Sequence, residues 1–154
     1  MGGDHVIESL SDQAKALWAK TGSGEDRLSW EPLYVHLFDS AEVSKLVWRD
    51  YLSESVKTTI ANSLGLTKQD AQCVVAWIVS NHDIGKATPA FQNNRYLRDL
   101  WERDLNAGFP AITPVDRPPH AFLGQVLFGE WLESQQGYPN GNQTIASIIG
   151  GHHG

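Results

Sequence analysis

Four histidines fall on, or at the end of, the apolar stripe of four different helical segments. No other feature of the chain constrains its fold as much. His36 recurs at helical spacing with Leu33, Leu37, Ser40, Val43, Val47 and Tyr51. His82 is the next member of the series Ala71, Val74, Val75 and Ile78. His120 opens a segment with Leu123, Gly124, Leu127 and Trp131 on its face. His152 continues the series of Ile145, Ile148 and Ile149, and His153 would stand about 100° further round the same helix. Taken singly, a histidine such as His36 is more simply a core residue bonded to a backbone carbonyl. Four imidazoles converging from four helices would be costly to bury without partners. A metal cluster accounts for all of them together.

The centre of the pattern is His82-Asp83-Ile84-Gly85-Lys86. An imidazole beside a carboxylate is a good donor pair for a borderline divalent metal. The pair sits where a hydrophobic helix ends, so one turn can aim both side chains at one point. Gly85 is read as easing that turn. Lys86, three residues after the Asp, can point back as a fixed positive charge. With Asp83 able to bridge, the set can hold one or two ions. Two ions about 3.5–4 Å apart can activate water and steady the oxyanions of a phosphoryl displacement.

The rest of the chain fits a helical domain. Its 154 residues suffice for one domain with a core. A helix is expected over 9–20, capped by Ser9 or Ser11, then a solvated loop over 21–29. A second helix starts near Pro32, a third runs over about 54–64 and stops near Gly65, and Thr67 with Asp70 makes a capping box for a fourth. Pro89 opens another, with Phe91, Tyr96, Leu97, Leu100, Trp101 and Leu105 apolar and Arg95, Arg98 and Arg103 on a solvated face. Residues 106–119 form a Pro-rich loop, and Gln135 to Asn142 a polar turn. Gly124 would permit close helix approach, and Gly150 and Gly151 would leave room for a ligand or another backbone. No strand pattern of period two persists, so the expected fold is all-α, with about six or seven helices. Trp30, Trp48 and Trp101 are read as core. His5, near the N-terminus, is set aside.

Charge and cysteine content narrow the function. A net charge of −6 argues against a broad basic groove on duplex DNA, but not against a nuclease whose ions supply the positive charge. The single Cys73 lies in an apolar run and is read as a buried, inert thiol. There is no signal-like start and no apolar run near the roughly 18 residues a membrane span needs. A cytoplasmic protein with no membrane association is expected.

On these residues the chain resembles the HD superfamily of metal-dependent phosphohydrolases. The run from His82 to Gln92, with Lys-Ala-Thr-Pro-Ala-Phe-Gln as its most specific part, is similar to the HD nuclease domain of the type I CRISPR-associated helicase-nuclease. His36-Leu-Phe-Asp-Ser40, Pro119-His120-Ala121 and Gly151-His152-His153-Gly154 match the same pattern, over roughly residues 10–154. The resemblance implies an HD helical fold and metal-dependent degradation of single-stranded DNA, by an enzyme recruited to an R-loop by an RNA-guided CRISPR surveillance complex. Carried over by position, His36, His82 and Asp83 would hold one ion. Asp83, His120, His152 and His153 would hold the second, and Lys86 would lie near the scissile phosphate. Mn²⁺, Co²⁺, Ni²⁺ or Fe²⁺ suits so many histidines better than Mg²⁺.

Two departures stand out. The family pattern has a further Asp downstream in the first ion's shell, and no such residue follows here. A helicase normally accompanies the domain, on the same or a separate chain, and no Gly-Lys-Ser/Thr phosphate loop is present. Residues 1–154 are therefore expected to be an HD-type nuclease domain truncated at its C-terminus, the N-terminal fragment of a longer protein. Two other readings remain: an HD nucleotide or cyclic-nucleotide phosphohydrolase, and a non-catalytic helical docking fragment.

Overall fold

The computed structural model describes residues 7–22, 29–92, 118–135 and 142–153. The expectations for His5, for Arg95, Tyr96, Leu97, Arg98, Leu100, Trp101, Arg103 and Leu105, and for most of the Pro-rich loop and the polar turn lie outside these residues. The chain runs α1 (Asp12–Ala16), β1 (Trp18–Thr21), β2 (Trp30–Pro32), α2 (Leu33–Asp50), α3 (Glu54–Leu64) and α4 (Lys68–Ser80). A 3-10 turn (Ile84–Ala87) follows, then α5 (Pro89–Gln92), α6 (His120–Ser134) and α7 (Asn142–Gly150). Among the described residues the domain is helical with one small sheet, and the helical fold matches what the resemblance implies.

The sheet corrects the expectation of no strands and of a helix over 9–20. Ser11 does cap α1, accepting from the Ala14 N–H at 3.2 Å, but the helix stops at Ala16 and Leu17 is extended. The chain then pairs antiparallel with β2, Trp18 opposite Pro32 and Thr21 opposite Trp30, with a bulge between Trp18 and Lys20. Strands of four and three residues are too short to show a period of two in sequence. Leu33 N–H donates to the Leu17 carbonyl at 2.7 Å, which joins the start of α2 to the strand pair.

Local signals set the helix ends. Ser53 caps α3, and Gly65, at φ +65°, ends it in the left-handed region that favours glycine. The Thr67 hydroxyl accepts from the Asp70 N–H at 3.2 Å and capped α4 begins there. The Asp70 carboxylate takes the Thr67 hydroxyl at 2.7 Å. Thr67→Ala should destabilise the domain by about 1 kcal/mol without changing metal affinity, measured by urea unfolding.

Among the described residues, two clusters form the core. One gathers Trp48, Ala61 and Ala71 from α2, α3 and α4. The other gathers Phe128, Leu132 and Ile149 from α6 and α7, with Ile78 and Ile84 against it. Burying a side chain such as Ile149, 1% exposed, contributes about 1.5–3 kcal/mol. A nine-residue helix is marginal alone, so this packing is what keeps α7 folded on α6.

Several expected inward positions face outward. Val43, Val47 and Tyr51 are 56%, 40% and 83% exposed, and Leu33 and Trp48 are the buried residues of α2. On α6 the buried stripe is Ala121, Gly124, Phe128 and Leu132, while Leu127 and Trp131 are exposed. This helix is apolar nearly all round, so periodicity alone does not select its inner face. Cys73 is exposed, roughly opposite Ala71 on α4, and is not a buried thiol. Trp48 is buried as expected, whereas Trp30 is only half-buried.

Candidate metal centre

Four elements carry the candidate ligands to one place. His36 lies in the second turn of α2, and His82 and Asp83 in the turn that follows α4. His120 is the first residue of α6, and His152 and His153 lie in the turn that ends α7. The expected helix through His153 therefore stops at Gly150. The turn still delivers both imidazoles.

Gly85 brings α6 close, and its part differs from the one expected. Its φ is not positive; Gly65 alone among the described residues has that conformation. What glycine provides is close approach. A Cβ on Gly85 would run into the His120 carbonyl oxygen and the Gly124 backbone nitrogen. Gly124 in turn lets α6 lie on Gly85 and Ile149, the close approach expected of it. At Gly150 the space expected for a ligand is taken by the Gln125 side chain.

Asp83 is the hub, 4% exposed. Its Oδ2 lies 2.9 Å from His36 Nε2, 3.1 Å from His82 Nε2 and 2.7 Å from Lys86 Nζ. Its Oδ1 lies 3.1 Å from His120 Nε2 and 3.3 Å from His152 Nε2. Neither of the last two approaches is aligned as a hydrogen bond. Asp83 Oδ1 and His152 Nε2 are thus buried polar atoms with no hydrogen-bond partner among the described residues. His153 Nε2 faces His120 Nε2 at 2.9 Å.

The other ring nitrogens are held from behind. The Val79 carbonyl takes His82 Nδ1 at 2.8 Å, and the Ile149 carbonyl takes His152 Nδ1. Glu31 on β2 approaches His36 Nδ1 at 3.5 Å. Backbone or carboxylate acceptors at Nδ1 fix the tautomer and leave Nε2 as a lone-pair donor, as supported metal ligands require. Glu31 was not foreseen from sequence. Its placement depends on the strand pair, which left no pattern to read.

Charge in the site is strongly biased. Burial alone would raise the Asp83 carboxyl, but the hydrogen bonds and charges of His82 and Lys86 outweigh it and hold the group well below the usual carboxylate range. His82 is raised by its hydrogen bond to Asp83, against the cost of burial and with help from the Val79 carbonyl. His120 is lowered by burial, which its attraction to Asp83 does not offset.

These residues suit a divalent cation. Two donor sets, His36/His82/Asp83 and Asp83/His120/His152/His153, each have their ligand atoms within 4.8 Å of one another and share one carboxylate. An anionic hub with an unpartnered buried oxygen, ringed by imidazole nitrogens of which His152 Nε2 is likewise buried without a hydrogen-bond partner, is the donor chemistry such an ion needs. Lys86, 8% exposed, closes one side by its ion pair with Asp83 and lies 5.5 Å over the Phe91 ring.

The family model for the Cas3 HD domain matches residues 18–154. The chain belongs to that family. A CRISPR-associated nuclease/helicase Cas3 of Streptococcus thermophilus is 33% identical over 147 residues, covering 89% of this chain and 16% of that protein. This HD domain therefore spans about a sixth of that curated relative's length. A crystal structure of a CRISPR-associated protein superposes with a TM-score of 0.82 at 37% identity, over 92% of this chain and 15% of that one. A CRISPR RNA-guided surveillance complex in a pre-nicking state contains a chain that superposes at 0.74 with 31% identity, over 89% of this chain and 16% of that one. The curated relatives of this HD domain carry the names of CRISPR-associated nuclease/helicases. Among the described residues of this HD domain, no helix is long and apolar enough to cross a membrane.

Proposed function

We propose that this HD domain is a metal-dependent phosphodiesterase that degrades single-stranded DNA in CRISPR interference. The observation that supports it best is the pair of donor sets sharing Asp83, with a buried carboxylate oxygen that no hydrogen bond satisfies. In this reading His36, His82 and Asp83 hold one ion, and Asp83, His120, His152 and His153 hold the other. The ions are Mn²⁺, Co²⁺, Ni²⁺ or Fe²⁺ in preference to Mg²⁺, because imidazole outnumbers carboxylate. When bound, such ions lower the pKa of water and offset negative charge on phosphoryl oxygens.

The chain's own residues do the rest. Asp83 joins the two sets and fixes their spacing. The Val79 and Ile149 carbonyls keep His82 and His152 in the tautomer that presents Nε2. Lys86 Nζ, 2.7 Å from Asp83 Oδ2, sits where it would take a non-bridging phosphate oxygen. No side chain is required as a nucleophile. Residues 1–154 act as one nuclease domain beside a helicase, on the same or a separate polypeptide, and an RNA-guided surveillance complex delivers the displaced strand. The nuclease/helicase relatives and the surveillance-complex neighbour support these partners.

The test is a comparison of substrates with Mn²⁺ present: single-stranded DNA, nucleoside triphosphates and cyclic nucleotides. Preferential cutting of DNA supports the proposal. Turnover of the nucleotides alone moves the assignment to a nucleotide phosphohydrolase, and no turnover with no bound metal to a docking module.

The metal should be pH-dependent, set by set. Protons and cations compete for neutral imidazole. His82 has a raised pKa, so it takes its proton at a higher pH than an ordinary histidine, near 6.5. As pH falls, the His36/His82/Asp83 set loses affinity first. His120, with its lowered pKa, stays neutral further down, so its set persists longer. Calorimetric Mn²⁺ titrations at about pH 7.5, 6.5 and 5.5 should show one binding class disappear before the other. Affinity that is flat over that range would contradict a histidine-built site.

A further inference from the structure

Among the described residues, two buried polar side chains, Thr88 and Gln92, lie outside the candidate ligand sets and their lysine. Gln92 is 0% exposed, at the end of short α5. Its Oε1 accepts the Trp18 N–H at 3.3 Å. Its Nε2 donates to the Trp18 carbonyl at 2.9 Å and to the Lys86 carbonyl at 2.7 Å. One carboxamide thus makes three hydrogen bonds to backbone, two to distant β1 and one to the nearby turn that carries Lys86. We propose that Gln92 is a positioning residue that acts through Lys86, tying the turn carrying that lysine to strand β1 and so fixing its ammonium against Asp83.

The surroundings converge on the same lysine. Thr88 donates its hydroxyl to the Gly85 carbonyl at 2.7 Å, and the Thr88 carbonyl receives the Gln92 N–H at 2.9 Å. The segment between Lys86 and Gln92 is therefore a closed loop of hydrogen bonds with Lys86 at one end and the carboxamide at the other. Phe91, the preceding residue, packs on Trp18 at 4.6 Å between ring centroids, edges His120 at 5.5 Å and underlies Lys86 Nζ. Lys86 and Asp83 are both nearly buried, so their 2.7 Å ion pair is sensitive to small backbone shifts. A mere packing role for Gln92 would need bulk, not three aligned polar bonds. Losing those bonds would leave two carbonyls and an N–H unpaired in the interior.

The inference rests on the role given above to Lys86, and its test separates the two. Gln92→Met keeps the side-chain volume and removes the bonds; Lys86→Met removes the charge. The two variants and their double are compared in the metal-free protein by urea unfolding. If Gln92 acts through Lys86, the change in unfolding constant for the double variant falls short of the product of the singles by about fivefold or more. Agreement with the product within about twofold means independent, purely structural roles and overturns the inference.

The same proteins are then assayed on single-stranded DNA with Mn²⁺. Gln92→Met should lower kcat about tenfold with KM nearly unchanged, and lower nothing further once Lys86 is Met. A proportional loss in both backgrounds counts against it. A wild type that does not cut DNA removes the nuclease reading, while the metal-free cycle still decides the role of Gln92. Should Gln92→Met not fold, Gln92→Asn replaces it in both cycles. Its amide is one methylene shorter and draws back from the Lys86 carbonyl.

Discussion

Asp83→Ala should strip metal from both donor sets at once and abolish cutting. The carboxylate is the one ligand common to the sets, with Oδ2 toward His36 and His82 and Oδ1 toward His120 and His152. A single ligand lost from a single site leaves the neighbouring site in place; here neither remains. The fall in kcat should exceed the roughly 10²–10³-fold that follows removal of one charge-stabilising group in other active sites. Stability should also fall. Lys86 is 10% exposed at its side chain and would keep no carboxylate partner within reach among the described residues. Breaking a buried pair from one side costs about 3–5 kcal/mol, because the remaining charge is stranded. Metal content by atomic emission, cutting assays and urea unfolding check the three parts separately. Retention of full metal content in the variant would show that Asp83 is not the shared ligand.

Gly85→Ala should be nearly as damaging, although it touches no ligand atom. The added methyl would meet the carbonyl oxygen of His120 and the backbone nitrogen of Gly124. These are main-chain atoms at the first turn of α6, so no rotamer change relieves the clash. The helix must retreat and carry His120 with it. Overpacking costs about 1–3 kcal/mol, and a rigid backbone contact belongs at the upper end of that range. A displacement of about 1 Å at a reacting centre can lower the rate about 10²-fold. The expected result is a lower urea midpoint and loss of affinity at the set containing His120, with the His36 and His82 set less affected. A variant as stable and as tightly metal-binding as wild type would mean that α6 does not need its present approach to Gly85.

How far the sequence revealed this can be traced residue by residue. The candidate ligand positions were readable because each histidine occupies, or adjoins, an apolar stripe or its end, and the structure brings these side chains together around Asp83. Helix starts were readable where a local bond decides them, as at Ser11 and Thr67. The strand pair was not, because its strands are short and its stability comes from distant bonds: Leu33 N–H to Leu17, and the Gln92 carboxamide to Trp18. The inner face of α6 was misjudged because Leu123, Leu127 and Trp131 are as apolar as the Ala121, Gly124 and Phe128 that are buried. Cys73 was misjudged because apolar neighbours in sequence are not neighbours in space on a helix. Gly85 was read as easing a turn. Only tertiary contact reveals that its missing side chain makes room for His120.

The most direct measurement is the fate of circular single-stranded DNA incubated with the purified chain and Mn²⁺, with a chelator control. The two shared donor sets predict linear and then shorter products, formed only when the metal is present and absent throughout with Asp83→Ala. Circles that stay intact while the chain is folded and loaded with metal would contradict the assignment of this centre to DNA cleavage.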